Sequence, residues 1–224
     1  MLQAAADISI NGALNFTGVN GSLTVNPAGF TVTFNLPAYY PGYTTIGGAG
    51  GLVVNGSGTV VLNYATSYEG STVVSNGALR LNAAHSGNGE FIVHGGTLQM
   101  NGVDSGTGGI AVMTNGTMTV ASTGRIASST NVVVNGGVLE LQTTGDVAIG
   151  DSIDVSISGG GRMILGSGVA DTVGTLYLGG GKMLNGAWGS QSSPAEFKTD
   201  RYFSGAGILI VTNGIPKGLL LIVR

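Results

Sequence analysis

The sequence predicts an all-β chain wound as a single parallel β-helix (β-solenoid) with roughly 20 residues per coil. Three observations carry this: a Gly-rich yet apolar composition, short alternating runs broken by Asn-Gly, and a recurrence of those runs at near-constant spacing. Gly is 42 of 224 residues and only 8% are charged, but 42% are hydrophobic and the mean hydropathy is +0.36. Disordered chains are poor in apolar residues and rich in charge, so the glycines belong to tight turns rather than to a low-complexity tail. The apolar residues are mostly Val, Leu and Ile, with abundant Thr, which suits strands.

The first region, residues 1–34, already alternates. Ile8, Ile10, Ala13, Leu14 and Phe16 flank Asn11-Gly12, and Leu23, Val25, Phe30, Val32 and Phe34 follow. Period-2 alternation means each strand buries one face. Asn-Gly supplies the positive φ that tight bends need. Residues 35–50 interrupt the pattern with Pro37, Pro41 and three tyrosines, Tyr39, Tyr40 and Tyr43, before a Gly-rich run. This reads as an extended loop. Its tyrosines are candidates to stack on sugar rings or dock a partner, or else to pack over the end or side of the domain.

Residues 51–184 hold the countable repeat. An apolar residue follows each glycine turn at Leu79, Leu98, Met118, Leu139, Met163 and Met183, with differences of 19, 20, 21, 24 and 20. A period near 20 with two or three short strands per period is the mark of a solenoid. A hairpin meander has no need to return the same residue class at that interval. Each coil advances one inter-strand spacing, about 4.8 Å, so about ten coils and roughly 50 Å of stacked sheet are expected.

Residues 185–206 depart from the repeat and carry the single Trp, Trp188, which makes them a candidate capping loop. Residues 207–224 follow as terminal strands. Ile208, Leu209, Ile210 and Val211, then Leu219, Leu220, Leu221, Ile222 and Val223, are uncharged and strongly β-forming. Such runs aggregate unless paired or buried, so they are candidate assembly strands. The ends of a parallel stack expose unpaired backbone in any case.

Residues 58–81, from Gly58-Thr59-Val60-Val61-Leu62 through Tyr68-Glu69-Gly70-Ser71-Thr72 to Gly77-Ala78-Leu79-Arg80-Leu81, resemble the autotransporter-associated β-strand repeat, G-T-L-x-L followed by Y-x-G-x-T-x-V-x-x-G-x-L-x-L. Units up to about residue 184 look like degenerate copies. The segments Gly186-Ala187-Trp188-Gly189 and Tyr202 to Val211 are similar to the closing region of large secreted bacterial proteins that carry such repeats. The resemblance implies a right-handed parallel β-helix on the outside of a bacterium, serving as a stalk, adhesin or surface-layer component. Autotransporters end in a membrane β-barrel of long alternating strands, and nothing after residue 207 has that length. The chain therefore reads as a passenger-type module without its own translocator.

Catalytic chemistry has few candidates. β-Helix lyases and hydrolases need carboxylates that converge, often with a basic residue. The tightest acidic group is Asp146, Asp151 and Asp154, with Arg162 further on; it sits at turns, and turn chemistry explains it better than catalysis does. His85 and His94 have no Cys partners and no helical spacing, so no zinc site is expected. The triple-glycine turns at 159–161 and 179–181 lead into Arg162 and Lys182, unlike a calcium-binding repeat. No cofactor is expected.

A net charge of −3 and a pI near 5.1, with eight scattered Lys and Arg residues, give no basic surface for nucleic acid. No apolar run approaches the ~18 residues of a membrane-spanning helix. Ala4-Ala5-Ala6 resembles the small-residue end of a signal peptide without its apolar core, as in a mature or trimmed chain. The absence of Cys and the abundance of Asn, Ser, Thr and Gly suit a secreted bacterial surface protein. The expectation is a non-enzymatic extracellular structural protein that assembles with itself, end to end or by strand addition, into a surface fibre. The alternatives are an adhesin or glycan-binding module that meets cell-surface glycans or other surface proteins, and a polysaccharide lyase or hydrolase.

Overall fold

A computed structural model of the chain describes residues 1–11, 14–16, 21–35 and 46–218. The described residues contain no helix and form stacked parallel sheets, a β-solenoid of about seven turns with roughly 22 residues per turn. Seven register steps run along one face from Leu23 through Leu52, Thr72, Phe91, Ile110, Val132 and Val155 to Leu176. The count falls short of the ten coils expected because some circuits are longer than 20 residues, as in the steps from Leu23 to Leu52 and from Met163 to Phe203.

Each circuit visits three faces in turn. The first face stacks nine parallel strands from Leu2–Gln3 to Leu176–Leu178, and ends on the antiparallel pair made with Gly181–Lys182. The second stacks nine strands from Ile8–Asn11 to Phe203–Ser204. The third is made of shorter pieces, including Ile46–Gly48, Ser67–Tyr68, Val103–Asp104 and Arg125–Ile126, joined by single bridges such as Thr66 to His85 and His85 to Asp104.

The ladder read from the sequence forms on the second face. Leu79, Leu98, Met118, Leu139 and Met163 are consecutive register partners, and all five are fully buried. Burying such a side chain contributes roughly 1.5–3 kcal/mol. Met183, expected as the next rung, is elsewhere: Phe203 pairs with Met163, 40 residues on. The corner between the first and second faces repeats a left-handed residue, seen at Gly77 (φ 74°), Gly95 (φ 78°) and Asn115 (φ 64°). At Gly77 the constraint is also one of space, since a Cβ there would lie 2.2 Å from the Gly56 carbonyl oxygen of the coil below.

Outside the next corner runs a ladder of asparagine side chains. Asn101 donates to Asn82, Asn82 to Asn63 and Asn63 to Asn35, each at 2.7 Å. Along the ladder an amide donates to one neighbour and accepts from the other, so an identical residue on successive coils satisfies itself.

The two ends differ. At the N-terminal end Leu2–Gln3, Ile8–Asn11 and Leu14–Phe16 are the last strands of their sheets, each paired on one edge among the described residues. Leu2, Ile8 and Ile10 are only half-buried, whereas Val32 and Phe34, one coil in, are fully buried. At the other end the chain folds over itself. Ile208–Val211 pairs in parallel with Ala170–Val173 and antiparallel with Gly186–Gly189, with Phe197–Lys198 beyond. Trp188 stacks on Phe197 with ring centroids 4.7 Å apart and donates from its indole nitrogen to the Leu184 carbonyl. Both edges of Ile208–Val211 are thus bonded inside the chain, and Leu209 and Val211 are buried, so this run offers no free edge to a neighbour. Residues 219–223, the other expected assembly run, lie outside the described residues, as do Tyr39, Tyr40 and Tyr43.

Candidate functional site

The third face brings the least expected residues together. A 19-residue step places Thr66, His85 and Asp104 on one bridged line, and Tyr68, Thr72 and Ser129 surround it. All six are buried, between 0% and 4% exposed, so none of them meets solvent. Thr66 Oγ1 and His85 Nδ1 are hydrogen-bonded at 2.8 Å. The Tyr68 hydroxyl bonds to Thr72 Oγ1. The His85 ring leans on Tyr68 at 4.7 Å and meets Phe91 edge-on at 5.1 Å. Asp104 accepts from the Gly106 N–H at 3.2 Å and from Ser129 Oγ at 3.5 Å.

This arrangement gives the Tyr-x-Gly-x-Thr part of the repeat-like motif a physical meaning. Tyr68 enters the core at the end of one face, and its hydroxyl, which needs a partner when buried, finds Thr72 at the start of the next. Gly70 lies between them where a Cβ would come within 2.5 Å of Gly51 N.

Burial sets the charge state of the group. It raises the Tyr68 hydroxyl well above the usual tyrosine range. It pushes His85 down to about 4, against the pull of Glu69 and of a backbone hydrogen bond, so the ring is neutral at pH 7. It pushes Asp104 up to about 7, although Gly106 and Ser129 favour the ionised form. His85 Nε2 has no hydrogen-bond partner among the described residues. Enclosed side chains with these protonation states tie the third face together through hydrogen bonds and ring contacts, and in this conformation they cannot touch a solute.

The acidic residues singled out by spacing separate. Asp146 accepts the Thr172 N–H and, at 2.8 Å, its hydroxyl, at the edge of the third face. Asp151 is exposed, near Asp171. Asp154 lies on the outer side of the first face and accepts from Thr175 N at 2.9 Å. Arg162 begins a strand of the second face. Turn and strand capping, not a shared groove, accounts for the bonded carboxylates. Besides Asp104, spacing missed a second buried acid, Asp171, fully enclosed and bonded at 2.8 Å to both the Ala148 and Ile149 N–H groups. Desolvation pushes it up to about 7 despite those two donors, with Asp146 and Asp151 adding to the rise. His94 is exposed and His85 buried, so the two histidines do not meet. No cluster of three or more His, Cys, Asp or Glu suited to a metal occurs among the described residues. No helix among them is long and apolar enough to cross a membrane.

No family model matches the chain, and no curated protein or solved structure matches it either.

Proposed function

We propose that this chain is a non-enzymatic structural rod of a bacterial exterior that associates with itself through its N-terminal rung. The observation that carries this reading is the asymmetry of the two ends. Three parallel strand edges stand unpaired at the N-terminal end among the described residues, with half-buried Leu2, Ile8 and Ile10 beside them. Unpaired backbone edges and part-exposed apolar residues together favour strand addition by a second copy. The far end is closed by an antiparallel strand, a two-residue strand and a cap sheet. Open-ended growth into a fibre needs a second contact surface, and residues 219–223 are the candidate for it. The extracellular setting is supported by the resemblance of residues 58–81 to the autotransporter-associated repeat, and by low charge with no Cys.

Sedimentation velocity across a wide concentration range, with electron microscopy of the same samples, tests this. Pairs or longer rods are expected for the native chain, and monomers for Ile8→Lys/Ile10→Lys, with a thermal melt confirming that the variant is folded. Monomers for both chains at high concentration contradict the reading.

A further inference from the structure

The outer side of the first face changes character along the rod. Its central outward row runs Val53, Val73, Ile92 and Ala111, register partners in sequence that carry no side-chain hydrogen-bonding group. The row stays apolar at Val133 and turns polar at Ser156 and Tyr177, where with its flank it surrounds a depression of about 280 Å³ lined by Thr130, Asn131, Val133, Asp154, Ser156 and Tyr177. Asn131 and Asp154 are register partners, as are Val133 and Ser156, and Ser156 and Tyr177. The lining therefore spans two inter-strand spacings, about 10 Å.

Elsewhere on the rod, several sets of outward polar side chains bond to one another from coil to coil. The asparagine ladder does so, and so does the set in which Asn88 donates to Glu69 at 3.0 Å and accepts from Thr107 Oγ1 at 2.9 Å. In the depression this is not the case. Only one Asp154 oxygen is engaged, by Thr175 N, and the side chains of Thr130, Asn131, Ser156 and Tyr177 have no partner among the described residues. These groups converge on one hollow with one aromatic ring and one apolar side chain.

We infer that this hollow on the outer first face is a binding site for a neutral saccharide. The apolar C–H face of a sugar ring fits against Tyr177 and Val133, and its hydroxyls match the free amide, hydroxyl and carboxylate groups around them. Asp154 in the lining and Lys182, the exposed register partner of Tyr177 at its margin, leave the hollow without net charge, which suits a neutral sugar rather than an acidic or phosphorylated one. The volume lies at the small end of ligand sites, which suits one ring of an oligosaccharide with the remainder crossing the sheet. This site is separate from the N-terminal rung, so it stands or falls apart from self-association. It also differs from the Tyr39, Tyr40 and Tyr43 loop, the glycan contact expected from the sequence.

The test uses the full chain against a panel of neutral and uronic-acid oligosaccharides, read by saturation-transfer NMR and titration calorimetry. Binding to neutral members is expected, weakened at least tenfold by Tyr177→Ala and several-fold by Asn131→Ala, and unchanged by Ile8→Lys. Asn131 is exposed, so its variant reports on the site without disturbing the core. No binding to any neutral member, binding confined to uronic acids, or affinities unaltered by both Tyr177→Ala and Asn131→Ala would overturn the assignment.

Discussion

Two triple-glycine corners, at residues 159–161 and 179–181, start from nearly the same backbone and diverge. Gly159 and Gly160 have φ of 58° and 82°, and Gly179 and Gly180 have 58° and 88°. Each is followed by a cation and a methionine, Arg162-Met163 or Lys182-Met183. After the first corner the chain turns onto the second face, and Met163 stacks on Leu139 with full burial. After the second it doubles back, and Lys182 pairs antiparallel with Tyr177 on the face it has just left. Local conformation does not separate the two outcomes. What differs is the edge available to the emerging strand. Residues 162–165 find the free edge of Val138–Leu141, whereas the edge of residues 162–165 is taken by Phe203–Ser204. A β-solenoid propagates where the preceding rung is vacant and closes where a later segment has filled it.

The largest effect that separates the corners is expected at the methionines. Met163→Ala removes a fully buried rung and is expected to cost about 2–5 kcal/mol, whereas Met183→Ala, half-buried beside the cap, is expected to cost about 1 kcal/mol or less. Urea denaturation of both variants reads the contrast, and equal losses would erase it. Next come the third glycines. A Cβ on Gly161 would sit 2.4 Å from the Val134 carbonyl oxygen, and one on Gly181 no closer than 3.3 Å to Met183 Cε. Gly161→Ala is therefore expected to destabilise by about 1–3 kcal/mol, and Gly181→Ala by about 0.5 kcal/mol or less, in the same assay.

The propagating region carries a further mark, in its dependence on pH. Asp104 binds its proton more tightly folded (about 7) than unfolded (3.8), so its contribution is fully present below pH 4 and is lost as pH rises through 7. His85 acts in the opposite sense: its folded value near 4 lies below 6.5, so stability is lost as pH falls through that interval. Each pH unit in a group's window changes stability by at most about 1.4 kcal/mol. Asp104→Asn keeps the acceptor for Gly106 N–H, and it is expected to remove the Asp104 share of the decline between pH 4 and 7, while leaving the share of Asp171, which burial raises in the same way, and the opposing His85 slope. Melting curves across that range check it, and parallel profiles for the two chains would refute it. At the middle glycines the two corners are expected to agree. Gly160 and Gly180 share a left-handed φ, and neither has a heavy atom within 4 Å of where a Cβ would stand. Ala at either is expected to cost the same, about 1 kcal/mol, in urea denaturation, and unequal losses would point to a local difference between the corners.

The same contrast explains what can be read from the residues alone. The ladder from Leu79 to Met163 is legible because each rung repeats one apolar pattern with one turn, and stacking demands that repetition. Met183 departs from its expected place for a physical reason: its local motif is sound, and only the occupancy of a distant edge excludes it. The asparagine ladder is present as the residue after Phe34, Leu62, Leu81 and Met100, but polar periodicity goes unseen when only apolar positions are counted. The third face is illegible for two reasons. Its strands are as short as two residues, and its buried line is Thr66, His85 and Asp104, which no hydrophobic pattern marks. The hollow around Tyr177 draws on three coils, so only the register assembles it.

The register at the closing edge tests closure of the solenoid most directly. The chain has no Cys, so an engineered pair reports without background. Ile164 and Ser204 are register partners on adjacent parallel strands, a spacing that suits a disulfide. Ile164→Cys/Ser204→Cys is expected to oxidise readily in the folded chain, while Ile164→Cys/Leu184→Cys, the pair that an unbroken 20-residue period would align, is expected to stay reduced. Rapid cross-linking of the 164–184 pair, with none between 164 and 204, would contradict closure by Phe203–Ser204 and restore propagation through Met183.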